Sequence, residues 1–267
     1  MIILAIFISG LGAGFFGSLV GLGGGVIMVP ILNLIFGLPI KTAVATSLVA
    51  VCATSIGGTA RYLKSNLVDY RIGLFLETTT IVGAIIGGLV ALVIKPQILS
   101  IAFAVILLYT SVNMLTKLNR KDSPVITGLA QGISTIRKYI ALGLSVIAGM
   151  VSAMLGVGGG VVQVPIIHLI LGYPIKNSVA TSTFMIGITA ATGSLVYFIA
   201  QIRGSVDYVL IDYHAVAPLV IGTLAGSNIG AAVAGKLNAR VIKIIFIVAL
   251  LYAGLRIGLR GLGIELL

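Results

Sequence analysis

Acidic side chains are almost missing from this chain: 6 Asp and Glu in 267 residues, against 17 Lys and Arg. There is no Trp, one Cys and two His. Only 9% of residues are charged while 59% are apolar, and mean hydropathy is +1.22. So few charges cannot solvate a globule of this size, which excludes a soluble domain and places the chain in a lipid bilayer. The lone Cys52 excludes an internal disulfide and a multi-cysteine metal site. With only His168 and His214, no HExxH and no paired intramembrane aspartates, the chain also lacks a catalytic constellation. No cofactor is implied, and the intramembrane enzyme is the weakest functional class. The N-terminus, MIILAIFISGLGAGF, has no basic flank and no cleavage site before the next apolar stretch, so it reads as a retained first span. The net charge of +11 does not point to nucleic acid. Lys and Arg sit between apolar runs, where they describe topology.

What is present is an apolar pattern in two sets of five. The first set covers about 2–19, 26–36, 42–63, 72–94 and 98–116; the second covers about 139–155, 161–171, 177–200, 213–235 and 239–257. This divides the chain into an N-terminal membrane repeat at 1–117, a polar cytoplasmic linker at 118–138 and a C-terminal membrane repeat at 139–267. A helix needs roughly 20 residues to cross the hydrocarbon. The segments 26–36 and 161–171 are therefore half-length helices or re-entrant arms, which survive at that depth only against protein or a wet cavity.

The halves are repeats. Residues 21–47 fall on 156–182 without a gap, and 18 of 27 positions are identical, including Pro30, Pro39, Lys41, Thr46 and Ser47. Chance apolar similarity does not reproduce prolines, a lysine and a Thr-Ser pair in register. Farther on, VDY at 68–70 recurs at 206–208, and Tyr62 matches Tyr197.

Total charge does not decide the orientation of the repeats. If every segment reaches a new side, 12 of the 17 basic residues fall on one face; if each broken first pair is one crossing, the split is 11 to 6. Matching loops are more telling. The loop after the third segment carries three basic residues in the first half and only Arg203 in the second, whereas the loop after the fourth carries only Lys95 and then three. That reversal favours an inverted duplication, with both termini outside the cytoplasm. The expected fold is an all-α integral membrane protein of two inverted repeats, broken at the glycine motifs.

Inverted halves with matched broken helices are the pattern of a secondary transporter that binds its substrate near the bilayer midplane. GLGGGVIMVP at 21–30 and GVGGGVVQVP at 156–165 free backbone N–H groups from the helix ladder, and the half-helix that follows adds its positive N-terminal end. Such a site prefers a small anion. Gly23, Gly24 and Gly25 with Gly158, Gly159 and Gly160 are its candidate backbone donors. The same glycines also serve close helix packing, and duplication preserves either role.

Downstream, Pro39 and Pro174 stop the short segments, and Thr42 and Asn177 are expected to cap the helices that follow. The hydroxyls of Thr46, Ser47, Thr181 and Ser182, one turn further in, can donate to an oxyanion or return to their own backbone. Lys41 and Lys176 either attract the anion at the two mouths or snorkel to the interface. Other polar residues break the symmetry. Gln163 replaces Met28 and is a candidate substrate contact, and His168 replaces Asn33. Glu77, about one turn inside an apolar span, is a functional candidate by default, for protons or sodium and not for the anion, unless it pairs with Arg61 or Arg71. His168 is a second coupling candidate or a satisfied interior histidine. Asp69 and Asp207 read as loop caps. An anion channel shares all these features and differs only in being unable to accumulate its solute.

Two G-x-G-G-G-x-x-x-x-P blocks, each followed by P-I-K-x-x-V-A-T-S, resemble the TauE/SafE sulfite-exporter family, also called TSUP permeases, over essentially the whole chain. The resemblance implies an inner-membrane permease of bacterial or archaeal type for small, commonly sulfur-containing anions such as sulfite, sulfonates or sulfoacetate. No Cys pair lines either half, which argues against thiol-based recognition of thiosulfate.

Overall fold

The computed structural model describes residues 2–20, 23–116, 134–204, 210–211, 213–233 and 239–264, all in helices, turns and short connections, with no strand among them. The order is α1 (Ile2–Val20), α2 (Gly25–Pro30, continued by a π-helical turn over Ile31–Ile35), α3 (Ile40–Lys64), α4 (Tyr70–Val93), α5 (Pro96–Thr116), α6 (Thr135–Leu155), α7 (Gly160–Pro165, continued over Ile166–Ile170), α8 (Ile175–Ile202), α9 (Tyr213–Val233) and α10 (Ala239–Gly261). Five of these, in α3, α4, α6, α8 and α9, are long and apolar enough to cross a membrane. Residues 118–133 of the linker and Asp207 lie outside the described residues, and α6 begins at Thr135 instead of the expected 139.

Small residues set the packing. In lipid, close backbone approach replaces the hydrophobic drive, so glycine stripes mark the seams. A Cβ on Gly10 or Gly14 would press on the backbone of Leu219 or Thr223, and one on Gly226 or Gly230 on Leu11 or Phe15, so α1 and α9 run side by side in the same direction. The α4–α6 seam repeats this: Thr79 Oγ1 donates to Leu142 O at 3.0 Å, Gly83 abuts Val146 and Gly87 abuts Met150. The first helix of each half thus packs on the fourth helix of the other. At the centre α3 and α8 cross antiparallel, Gly193 lying on Leu48 and Gly58 on Thr183. At one flank α5 and α10 are antiparallel, Gly261 lying on Ile101 and Gly254 on Leu107. Since α3 and α9 are parallel, Ala50 meeting Thr223 and Gly57 meeting Ser227, and α4 and α8 are parallel, Gly73 meeting Phe184 and Gly88 meeting Val196, the directions close into one scheme. With α3 pointing up, α1 and α9 also point up, and α4, α6 and α8 point down. The counterparts α1 and α6, α3 and α8, and α4 and α9 therefore run in opposite senses.

Individual hydrogen bonds repeat across the halves. Tyr62 Oη donates to Ser18 O, and its counterpart Tyr197 donates to Ala153 O, both at 3.0 Å. Each ties the third segment of a half to the first.

The short helices are re-entrant arms. Gly24 packs against Ala13 and Gly17 of α1, and Gly25 meets Val51 midway along α3, yet α2 leads into the start of α3. Eleven residues at 1.5 Å each, about 16 Å, carry the chain from the middle of α3 back to its beginning. The second half does the same from Ile186 of α8. Because Pro30 and Pro165 carry no N–H, each arm widens into a π turn, closed by Phe36 N–H on Ile31 O and Leu171 N–H on Ile166 O.

One expectation is corrected here. The helices after the arms do not start at Thr42 and Asn177; their caps are Pro39 and Pro174, without a side-chain cap bond, and helical residues begin at Ile40 and Ile175. Proline's fixed φ, −53° and −54°, combined with an extended ψ of 144° and 142°, already aims the chain into the helix, and Pro39 O and Pro174 O accept the first ladder bonds from Ala43 and Ser178. Asn177 instead donates Nδ2 to Leu67 O at 3.1 Å, fastening α8 to the loop before α4.

Candidate functional site

The two glycine breaks meet. In each, two successive glycines take the left-handed conformation, with φ of +75° and +78° at Gly23 and Gly24 and +84° and +80° at Gly158 and Gly159. That region is disfavoured for L side chains, which is why glycine occupies it. The turn delivers Gly24 and Gly159 as the N-caps of α2 and α7. Ladder bonding starts with Ile27 and Met28 N–H on Gly24 O, and with Val162 and Gln163 N–H on Gly159 O. The N–H groups of Gly25, Val26, Gly160 and Val161 therefore stand before the first turn of each arm, without an acceptor in their own helix.

Between the breaks, a Cβ on Gly25 would overlap Gly156 O and come within 2.9 Å of Val157 Cα. Two side chains close over this junction. A Cβ on Gly23 would lie 3.0 Å from Ile186 and 3.3 Å from Val51, and one on Gly158 2.8 Å and 2.6 Å from the same two residues. Val51 and Ile186 are counterparts, 135 positions apart, each fully buried midway along α3 or α8. In this conformation the centre holds two backbone breaks with an apolar pair packed on both.

Of the hydroxyls, Ser47 reaches the junction: its Oγ lies 2.9 Å from both Val44 O and Gly156 O, so α3 of one half grips the break of the other. Ser182 donates to Val179 O at 3.1 Å, and the residue matching Gly156, Gly21, lies outside the described residues. Thr46 is fully buried in α3. Thr181 is engaged elsewhere, its Oγ1 accepting from Asp69 N–H at 3.0 Å. Asp69 caps α4 by accepting from Arg71 and Ile72 N–H, and receives the Tyr173 hydroxyl at 2.7 Å.

The candidate lysines are not at the breaks. Lys41 is buried and donates Nζ to Leu92 O at 2.8 Å, covering a free carbonyl in the last turn of α4. Lys176 is exposed. His168 Nδ1 bonds Tyr173 O at 2.7 Å, as its counterpart Asn33 bonds Leu38 O at 2.8 Å, so both close the end of an arm.

Among the described residues, a polar string leads away from the second break and not from the first. Gln163 lies on the first turn of α7, with its Nε2 3.5 Å from Thr189 Oγ1, and Thr189 donates to Glu77 Oε1 at 2.6 Å. Ser152 of α6 meets the same face of Gly159, where an added Cβ would lie 3.4 Å from both Ser152 Oγ and Gln163 Nε2. All four are at least 98% buried. Because α4 starts at Tyr70, Glu77 lies two turns deep instead of one, and the exposed Arg61 and Arg71 are not its partners.

Val51, Ile186, Ser152 and Thr189 were not singled out in the sequence. The first two form a matched pair under the 135-residue shift, a signal hidden by their apolar identity. Ser152 replaces Gly17, the same kind of asymmetry that exposed Gln163.

A family model described as sulfite exporter TauE/SafE matches residues 6–257. The probable membrane transporter protein YunE of Bacillus subtilis is 28% identical over 270 residues, covering 95% of this chain and 96% of its own. A probable membrane transporter protein of Methanocaldococcus jannaschii is 30% identical over 240 residues, 86% of each chain. A sulfite exporter TauE/SafE family protein of Arabidopsis thaliana is 32% identical over 93 residues, 34% of this chain and 21% of its own. No solved structure matches the chain significantly.

Proposed function

The chain belongs to the sulfite exporter TauE/SafE family and is a multi-pass membrane transporter; from that premise we propose that it carries a small oxyanion, a sulfite, sulfonate or related organic anion, across the inner membrane by alternating access. The observation that supports this reading is the meeting of two left-handed glycine turns, each opening a half-helix, at the crossing of α3 and α8. Each arm brings N–H donors and the positive end of a short dipole to the same place, where low dielectric strengthens their pull on negative charge. The fixed donors discriminate by charge and by acceptor geometry. They suit a compact group bearing several oxygens, such as a sulfur oxyanion or the head of a sulfonate.

Alternating access assigns a role to the opposed halves. With counterparts running in opposite senses, each half can open the centre to one side by the same motion, and Val51 and Ile186 pack the centre shut between them. The basic residues of the α3–α4 turn and of the linker sequence support an orientation with both termini outside the cytoplasm.

The test is a melting-point screen of purified protein against sulfite, short sulfonates, sulfoacetate, sulfate and short carboxylates. A ligand at 100 times its Kd stabilises the folded state by about 2.7 kcal/mol. A saturable rise with sulfite or a sulfonate, and uptake of the same anion against its gradient into proteoliposomes, is expected. Stabilisation by none of them, or flux that never exceeds equilibration, rejects the reading.

A further inference from the structure

Three of the buried oxygens in the string from Glu77 to Ser152 have no hydrogen-bond partner: Glu77 Oε2, Gln163 Oε1 and Ser152 Oγ. The four residues come from four helices, α4, α6, α7 and α8, and converge beside Gly159. Each residue is buried to 98% or more. A buried polar atom left unsatisfied costs about 1–3 kcal/mol, and more where it is charged, so three together need an explanation. The unsatisfied atoms are all oxygens, and a lone carboxylate among them carries one negative charge.

We propose that Glu77, Thr189, Gln163 and Ser152 form a binding site for one monovalent cation, a proton or a sodium ion, built beside the second glycine break and not beside the first. Charge and donor type set this class. One carboxylate balances one positive charge; neutral carbonyl and hydroxyl oxygens complete the shell of a hard ion; no group of three or more His, Cys, Asp or Glu exists among the described residues to hold a divalent or transition metal. Rotation about the last side-chain bond of Gln163 exchanges Oε1 and Nε2, which fill nearly the same volume, so either end can face a ligand.

Among the described residues, no charged side chain supplies the missing charge. On its own helix, Asp69 is bound to Tyr173, and Tyr70 and Arg71 are exposed at the start. Opposite, α6 bears Arg137, Lys138 and Tyr139 at its beginning, and α8 bears Lys176 at its first turn and Tyr197, which is bonded to Ala153 O, with Arg203 just past its end. His168, on the arm, is held by Tyr173 O. On α3, the helix before α4, are Lys41, bonded to Leu92 O, with Cys52, Tyr62 and the exposed Arg61 and Lys64. Among the described residues, the polar contact of Glu77 is Thr189.

Among the described residues, the first break has no such cluster. Gln163 and Ser152 are replaced there by Met28 and Gly17, and Thr54, the counterpart of Thr189, donates to Ala50 O. Gly83 and Gly87 of α4 recur in the matching seam as Gly226 and Gly230 of α9, and in that register the position of Glu77 is taken by Val220. A device that departs from the symmetry of the anion breaks is suited to a different ligand. Its position, one side chain from Gly159, links the cation to the anion, and that consequence rests on the transport reading.

The experiment measures cation binding with no anion substrate, so its failure is separate from failure of anion transport. Melting of wild-type protein in detergent is followed in sodium chloride against choline chloride at pH 8, and in sodium-free buffer from pH 9 to pH 5. Wild type and the Glu77→Gln and Gln163→Met variants are compared, the latter copying the residue of the first half. A saturable shift of several degrees with sodium, at least tenfold weaker in both variants, supports a sodium site. A wild-type melting point that changes with pH relative to Glu77→Gln, without a sodium effect, supports a proton site. If neither sodium nor pH alters the difference between wild type and the variants, the proposal is overturned; should Glu77→Gln fail to fold, Gln163→Met decides the sodium arm and Glu77→Asp the pH arm.

Discussion

Gly25→Ala is expected to abolish anion flux in proteoliposomes and to lower the stability of the protein by about 1–3 kcal/mol, the range for overpacking a close-packed interior. The residue has no unusual backbone angle, so the effect comes from space alone. An added methyl would occupy the position of Gly156 O and press on Val157 and Val51, forcing the two breaks apart. The Gly156 and Val157 contacts are backbone and cannot swing aside as a flexible side chain would. Gly12→Ala is the control: it sits on α1 with nothing within 4 Å of an added Cβ, and the change is expected to leave flux intact. Initial rates of uptake, normalised to reconstituted protein, and melting curves distinguish the two. Wild-type flux through Gly25→Ala would remove the contact between breaks from the transport path.

Ile186→Ala is expected to act in the opposite direction on permeability. Its side chain is fully buried and, with Val51, closes the junction between the arms. Truncation removes contacts to both glycine turns at once and leaves a void, with a stability loss of about 2–5 kcal/mol. The path then lacks half of its apolar closure. Passive leak of a small anion such as iodide from loaded vesicles should rise several-fold over wild type, while uptake against a gradient falls. Val51→Ala should show the same pattern more weakly, since it removes fewer atoms. A tight vesicle with normal uphill transport would mean that the pair is packing only.

The arms were legible in the sequence because they are punctuated at both ends. The glycine run opens each, and a Gly-x-Pro step closes it, so expected segments at 26–36 and 161–171 fall on Gly25–Ile35 and Gly160–Ile170. The repeat was legible because it carries prolines and polar residues in register, and these recur as matched bonds, Tyr62 with Tyr197 and Asn33 with His168. Helix starts after the arms were misplaced, since Thr and Asn rank high as caps while the geometry of proline decides here. Roles of single polar residues were the least visible. Lys41 bonds a carbonyl 51 positions away, and Thr181 accepts from an amide 112 positions away. No local spacing encodes such partners; they follow from which helices the glycine seams bring together. Glu77 stood out as an acid in an apolar span, but its partner Thr189 looked like any other membrane threonine, a residue that ordinarily bonds its own helix.

The central claim is that an anion is held between the two breaks by backbone donors from both halves. Selenite is a close analogue of sulfite whose selenium scatters anomalously, so diffraction from crystals grown with it locates the anion without reference to its surroundings. The account predicts one anomalous peak within hydrogen-bonding reach of the Gly25–Val26 and Gly160–Val161 N–H groups, with Val51 and Ile186 displaced from the junction. A peak confined to the surface, to one arm alone, or beside Lys41 or Lys176 with the junction still packed would contradict it.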